Sequence, residues 1–203
     1  MTDLSQSASM RPAGPIARRR SALPNGLWGI LLLMATEGAL LGVLFSSYFY
    51  LRFKVGTWPP PGIDAPDPVV PLVMAGVLAV AAVPMLLAST AAQAGRARAA
   101  WLLVLAALVV QSGYFAFEIH SLLSDLDRFG PTGSAYGSAY YAVLGADHAH
   151  VAVGLLLSLW LVIRLLGGLT AYRVLAVRVV SWYWLFAVVM TFCTVGTILS
   201  ANT

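Results

Sequence analysis

Five long apolar stretches dominate the chain: residues 27–51, 69–92, 99–119, 139–163 and 179–201. A helix needs about 20 residues to cross the hydrocarbon core of a bilayer. Each stretch meets that length, and short connectors separate them. Inside a bilayer every backbone amide and carbonyl must be paired within the protein, which leaves helices or a closed barrel. No stretch alternates polar and apolar side chains as a barrel strand does. The fold predicted is an all-α polytopic membrane protein with five transmembrane helices in a bundle. Composition agrees: 60% of residues are hydrophobic and 10% charged, and the mean hydropathy is +0.83. Soluble domains are roughly 45–50% apolar and about 25% charged. These values exclude a soluble enzyme domain, a disordered chain and a nucleic-acid binder. The lone cysteine, Cys193, sits in an apolar run and has no partner for an internal disulfide or a thiol metal site.

Residues 1–24 are polar and rich in Ser, Pro and Arg, and read as a flexible basic tail ahead of a membrane domain at 25–203. The first span is too long for a cleaved signal peptide, carries Glu37 and lacks a cleavage pattern behind it. The basic residues divide unevenly between the two sides. Arg11, Arg18, Arg19, Arg20, Arg96, Arg98, Arg164, Arg173 and Arg178 share one side, and Arg52, Lys54 and Arg128 the other. The positive-inside rule then places the N-terminus in the cytoplasm and the C-terminus outside. The first outer loop carries Trp58-Pro59-Pro60-Pro61-Gly62, which predicts a stiff polyproline II segment with Trp58 at the membrane interface. Pro71 suits the first turn of span two, and Pro84 should kink that span. The second outer loop, residues 121–138, contains the turn signals Gly130-Pro131 and Gly133.

A charge in mid-bilayer costs roughly 2.5–3.5 kcal/mol on insertion scales, so intramembrane polar groups are the informative ones. Glu37 lies near the middle of span one. It reads equally well as a neutral acid bonded to a neighbouring helix or as a proton-linked or lipid-linked site. Asp147, His148 and His150 cluster in the outer half of span four. Asp147 and His150 are three apart and share a face, whereas His148 points elsewhere. His-x-His on one helix chelates poorly, so an interhelical hydrogen-bonded pair, with Glu37 as a partner, is favoured over a metal site. Glu118 and His120 fall at the outer end of span three, where a solvated helix end explains them. Trp182, Tyr183 and Trp184 open span five and read as an interfacial aromatic belt, as do Tyr48, Tyr50 and Trp101. There is no haem-attachment motif, phosphate loop or protease arrangement.

These residues also carry a resemblance. Leu27-Trp28-Gly29 and Thr36-Glu37, the loop Trp58-Pro59-Pro60-Pro61-Gly62-Ile63, Glu118, the segment Gly145 to Gly154 with His150-Val151, and Trp182-Tyr183-Trp184-x-Phe186 form one series. With them, over about residues 26–200, the chain resembles subunit III of the haem–copper oxidases in its short five-helix bacterial form. The loop is the most specific match. The resemblance places Glu37 at the family's buried carbodiimide-reactive carboxylate. The chain departs from the family in four places. Asp147 stands where the family has a His, and His148 where it has a Gly. Leu185 replaces the His of the last helix, and Val188 an Asp. These departures remove polar groups that would link spans four and five.

The resemblance implies a non-catalytic subunit that binds no haem, copper or other metal itself. Haem and copper are expected in the catalytic partner, subunit I, on which it packs. It implies phospholipid in a cleft between the first two helices and the rest, support of proton uptake and protection against inactivation during turnover. Its implied location is the bacterial inner membrane. Glu37 and His150, together with Asp147 and Glu118, are the candidate proton-linked or lipid-cleft residues. Pairing of Glu37 with His150 requires spans one and four to adjoin. Two other readings are an accessory protein of a nitric oxide reductase system and a small proton-coupled transporter using Glu37 and Asp147.

Overall fold

The computed structural model describes residues 25–202. The basic tail expected at 1–24 lies outside them. Five helices follow one another: α1 (Asn25–Lys54), α2 (Val69–Gln93), α3 (Ala97–Leu126), α4 (Ala135–Leu165) and α5 (Ala171–Leu199). A 3-10 turn, Ser200–Asn202, ends the described chain. All five helices are long and apolar enough to cross a membrane.

The helices outrun the apolar stretches that announce them. A helix of 30 residues, such as α1 or α3, is about 45 Å long, whereas the hydrocarbon core is about 30 Å thick. Apolarity marks what lies in hydrocarbon; capping decides where a helix ends. The Ser134 hydroxyl accepts from the Gly137 amide at 3.0 Å, starting α4 four residues before 139. The Thr170 hydroxyl accepts from the Arg173 amide at 3.3 Å and starts α5 eight residues before 179. At the head of α2, which stays helical through Pro84, Asp67 Oδ1 accepts from the Val69 amide at 2.9 Å. Helix α3 runs seven residues beyond 119, because 120–126 contain neither Gly nor Pro. The connector between α3 and α4 is therefore 127–134, not 121–138, and Glu118 and His120 lie inside a helix rather than at its end.

Helices α4 and α5 form the centre. Helix α1 packs on α4 and α5 alone, whereas α2 packs on α3 and α5, and α3 on α2 and α4. The first two helices thus lie on different sides of the α4–α5 pair and do not touch. A lipid cleft between them as a unit and the rest has no counterpart in this arrangement.

The larger core joins Leu78 and Met85 of α2, Val104 of α3, Val151 and Leu161 of α4 and Trp184 of α5. Ala75, Ala81, Ala82 and Ala88 give α2 the small face that close packing between membrane helices uses. Trp184 is fully buried, and its indole nitrogen donates to the Ser158 hydroxyl at 2.9 Å. Its ring lies so near Gly154 that a Cβ there would stand 2.8 Å from a ring carbon. Tyr183 is fully buried as well. The motif Trp182-Tyr183-Trp184 is thus not a belt opening the helix. It lies more than two turns inside α5, with only Trp182 at the periphery under the Arg178 guanidinium.

A second, aromatic core closes the end that bears the two long connectors. It contains Tyr48, Tyr136, Tyr140, Val143 and Ile198. Trp58 packs onto this core. Its indole nitrogen donates to the Tyr48 hydroxyl at 3.0 Å, and its ring meets Tyr48 and Tyr136 edge-on. Tyr48 is fully buried within the bundle. The proline segment does not run on as a polyproline rod. The Ile63 amide donates to the Pro60 carbonyl at 3.2 Å, and Gly62 has φ +94°. Pro61 then Gly62 is the residue order of a type II turn, which requires positive φ at its third position.

Candidate functional site

Helix α4 presents polar groups to three neighbours at one depth. His150 faces α1. Its Nε2 lies 3.6 Å from Glu37 Oε2, and both atoms are buried without a hydrogen-bond partner. His148 faces α3, with Nε2 3.7 Å from Glu118 Oε2. Asp147 faces α5 and accepts from the Thr191 hydroxyl at 3.1 and 3.2 Å and from the Thr194 hydroxyl at 3.3 Å. Asp147 and His150, three apart, serve different neighbours rather than one site. A helix advances 100° per residue, so four consecutive positions sweep most of its circumference.

The two histidines are built alike. His148 Nδ1 lies 2.6 Å from the Leu144 carbonyl, and His150 Nδ1 2.5 Å from the Ala146 carbonyl, each one turn back. A carbonyl only accepts, so Nδ1 carries the proton in each ring. Nε2 is then the one position where a proton is gained or lost. In each ring that atom points at a glutamate on a neighbouring helix. The pairs face each other across helix interfaces just beyond direct hydrogen-bond distance, with the Glu37 and Glu118 side chains 18% and 21% exposed.

Tyr183 completes the Glu37 site. Its hydroxyl donates to the His150 carbonyl at 2.9 Å and comes within hydrogen-bond reach of the Glu37 carboxylate. Phe186 packs against both the Tyr183 and His150 rings. The motif Trp182-x-Trp184-x-Phe186 therefore divides: Trp184 fills the core, Phe186 walls the Glu37 site and Trp182 faces outward. Trp58, Pro59, Pro60 and Gly62 stand apart, shaping the connector over the aromatic core. Glu118, expected as a solvated helix end, faces His148 and is mostly buried. His120 is exposed.

Loss of the family's polar groups at Leu185 and Val188 does not unlink α4 from α5. Thr191 and Thr194 supply the link through Asp147, and Tyr183 and Trp184 add hydrogen bonds to α4. Tyr114, Thr191 and Thr194 carried no mark in the sequence, and Tyr183 read only as part of an aromatic belt. The Tyr114 hydroxyl lies within hydrogen-bond reach of Thr191 and extends the Asp147 network to α3. Among the described residues, no group of three or more His, Cys, Asp or Glu side chains is placed to hold a metal ion.

Comparison with known proteins points in one direction. Cytochrome c oxidase subunit 3 of Oenothera berteroana is 29% identical over 78% of this chain and 62% of its own length. The Arabidopsis thaliana protein of the same name is 28% identical over the same shares. Cytochrome c oxidase subunit 3 of Bacillus subtilis (strain 168) is 37% identical over 39% of this chain and 40% of its own length. The chain thus spans about 62% of the length of the plant relatives it matches. The family model for cytochrome c oxidase subunit III matches residues 16–198, nearly the entire chain. With five apolar membrane-length helices and that match, the chain is a multi-pass membrane protein that belongs to the cytochrome c oxidase subunit III family.

Proposed function

We propose that the chain is a non-catalytic subunit of a proton-pumping haem–copper terminal oxidase in a bacterial inner membrane. In this reading it packs on subunit I, which carries the haem and copper, and takes no metal or haem itself. Its N-terminus lies in the cytoplasm, following the excess of Arg on that side. Its work is to support proton uptake, to hold phospholipid and to protect the catalytic partner during turnover.

The observation that carries the reading is the convergence of Glu37, His150 and Tyr183 from three helices at mid-span. Burying a carboxylate and an imidazole in apolar surroundings is unfavourable unless each serves the other. His150, committed through Nδ1, exchanges a proton at Nε2 only, and Glu37 Oε2 is the neighbouring acceptor. Tyr183, its one proton donated to the His150 carbonyl, brings its hydroxyl oxygen within reach of Glu37 from the third side. Such a cluster stores and passes a proton without any metal.

Two further features support the assembly. The outer face of α1 is largely apolar, with Leu32, Leu40 and Val43 exposed, and its exposed Thr36, Ser46 and Ser47 hydroxyls bond to their own backbone, as befits contact with lipid or another membrane subunit. A groove of about 270 Å³ runs between α1, α4 and α5 beside Ile30, Leu33, Trp160 and Leu175, and suits an acyl chain.

The experiment compares the intact oxidase complex with the complex depleted of this chain and with one carrying Glu37→Gln. Initial oxygen consumption should survive depletion, while the turnovers completed before inactivation and the rate of proton uptake fall. Glu37→Gln should lower proton uptake with the subunit still bound. Equal lifetime and uptake in all three preparations would overturn the reading.

A further inference from the structure

The Asp147 side of α4 holds a chamber that the Glu37 site does not touch. It is a cavity of about 60 Å³ whose polar lining includes Tyr114, Glu118, Asp147, His148, Thr191 and Thr194. A water occupies roughly 30 Å³ of liquid, so the space suits about two. It is also polar enough for water. His148 has a side chain only 9% exposed, and its Nε2 finds no hydrogen-bond partner in the protein. At 3.7 Å from Glu118 Oε2, that atom is left for a bridging water.

The chamber adjoins a more open space on the connector side. A second cavity, about 200 Å³, is lined by Asp64, Asp67 and Arg128 at the connectors. The two cavities share Val70, Pro71, Ser121, Asp125 and Tyr140 in their walls. The Tyr140 hydroxyl donates to Asp125 Oδ2 at 2.6 Å between them. Asp125 is tied in turn to Arg128 at 3.9 Å, and Arg128 to Asp64 at 3.7 Å. A row of ionisable side chains thus leads from the connectors to the wall of the chamber that holds Asp147.

We propose that Asp147, His148 and Glu118 form a hydrated proton-exchange site open to the aqueous phase on the connector side. A proton from water in the outer cavity passes by Ser121 into the chamber. It is taken up at His148 Nε2 or at a carboxylate oxygen of Glu118 or Asp147, and it returns by the same route. The groups facing the site are Tyr114, Glu118, Ser121 and Asp125 from α3, Tyr140 from α4 and the Thr191 and Thr194 hydroxyls from α5. From α2 only Val70 and Pro71 face it. His150 turns to α1 instead. The site is distinct from the Glu37 pair and needs only this chain, so it stands whether or not an oxidase is the partner.

The test is infrared difference spectroscopy of the full-length protein, in its native complex or as isolated, across pH steps in H2O and D2O. The expected result is a carboxylic-acid carbonyl band that shifts within seconds of D2O addition and is lost or displaced in Asp147→Asn or Glu118→Gln. In a Cys193→Ser background, Ser121→Cys should react with a charged, membrane-impermeant thiosulfonate from the connector side only. The labelled thiol should slow the D2O shift from seconds to hours. This second arm leaves the three site residues intact, so it does not depend on their variants folding. A band indifferent to both carboxylate variants, a band that exchanges only over hours in the unlabelled protein, or a Ser121→Cys variant inert to the reagent from the connector side would overturn the proposal.

Discussion

At the scale of single residues, what matters is which atom of a buried polar group is left over. His148 and His150 each commit Nδ1 to their own helix and offer Nε2 to a glutamate. Asp147 is satisfied differently, by two threonine hydroxyls from α5. Hydrogen bonds to a charged group contribute about 1.5–3 kcal/mol each at most. Asp147→Leu should therefore destabilise the purified protein by about 1–3 kcal/mol in denaturant unfolding, and Asp147→Asn by less, because an amide oxygen still accepts from one threonine. Equal losses in both variants would mean that the carboxylate, not the hydrogen bonds, holds α4 to α5. Glu37, Asp147 and His150 were legible because an ionisable group in an apolar run stands out. Thr191 and Thr194 were not. Hydroxyls in membrane helices usually bond to their own backbone, as Ser46, Ser47 and Thr197 do here, and nothing in the sequence marks the two that do otherwise. Tyr183 was hidden for a similar reason, since a Trp-Tyr-Trp run reads as interfacial until its depth is known.

At the scale of helices, existence and number followed from apolar length, but ends did not. The hydropathic signal stops where the hydrocarbon stops, while Ser134 and Thr170 carry α4 and α5 further. Removing such a cap typically costs about 0.5–2 kcal/mol. Ser134→Ala should lower stability by that amount and speed amide exchange in the first turn of α4 with little change at Glu37. The contact between α4 and α5 is set by Gly154. An added methyl would meet the fully buried Trp184 ring, and neither partner has room to withdraw. Gly154→Ala should lose about 1–3 kcal/mol from overpacking despite its better helix propensity. A thermal or denaturant midpoint at or above that of the parent would show that α4 and α5 sit further apart.

At the scale of the molecule, five spans were readable but their arrangement was not. Each helix is apolar nearly all round, so periodicity cannot say which neighbour it meets. The departures at Leu185 and Val188 put a polar network between spans four and five in doubt, whereas Tyr183, Trp184, Thr191 and Thr194 supply one across the pair at the centre of the bundle. Helix α1, carrying Glu37, touches only that pair and leaves much of its surface to lipid or to another subunit. That surface, together with membership of the subunit III family, leads to the central claim that the chain works within a haem–copper oxidase. The most direct measurement is a gentle-detergent pull-down of the chain from its native membrane, read by a reduced-minus-oxidised haem spectrum and an oxygen electrode. The account predicts haem and oxygen-consuming activity co-eluting with the chain in fixed stoichiometry. A haem-free, monodisperse chain, under conditions that keep other oxidase complexes whole, would contradict it; proton-coupled uptake by that chain in proteoliposomes would assign it to transport instead.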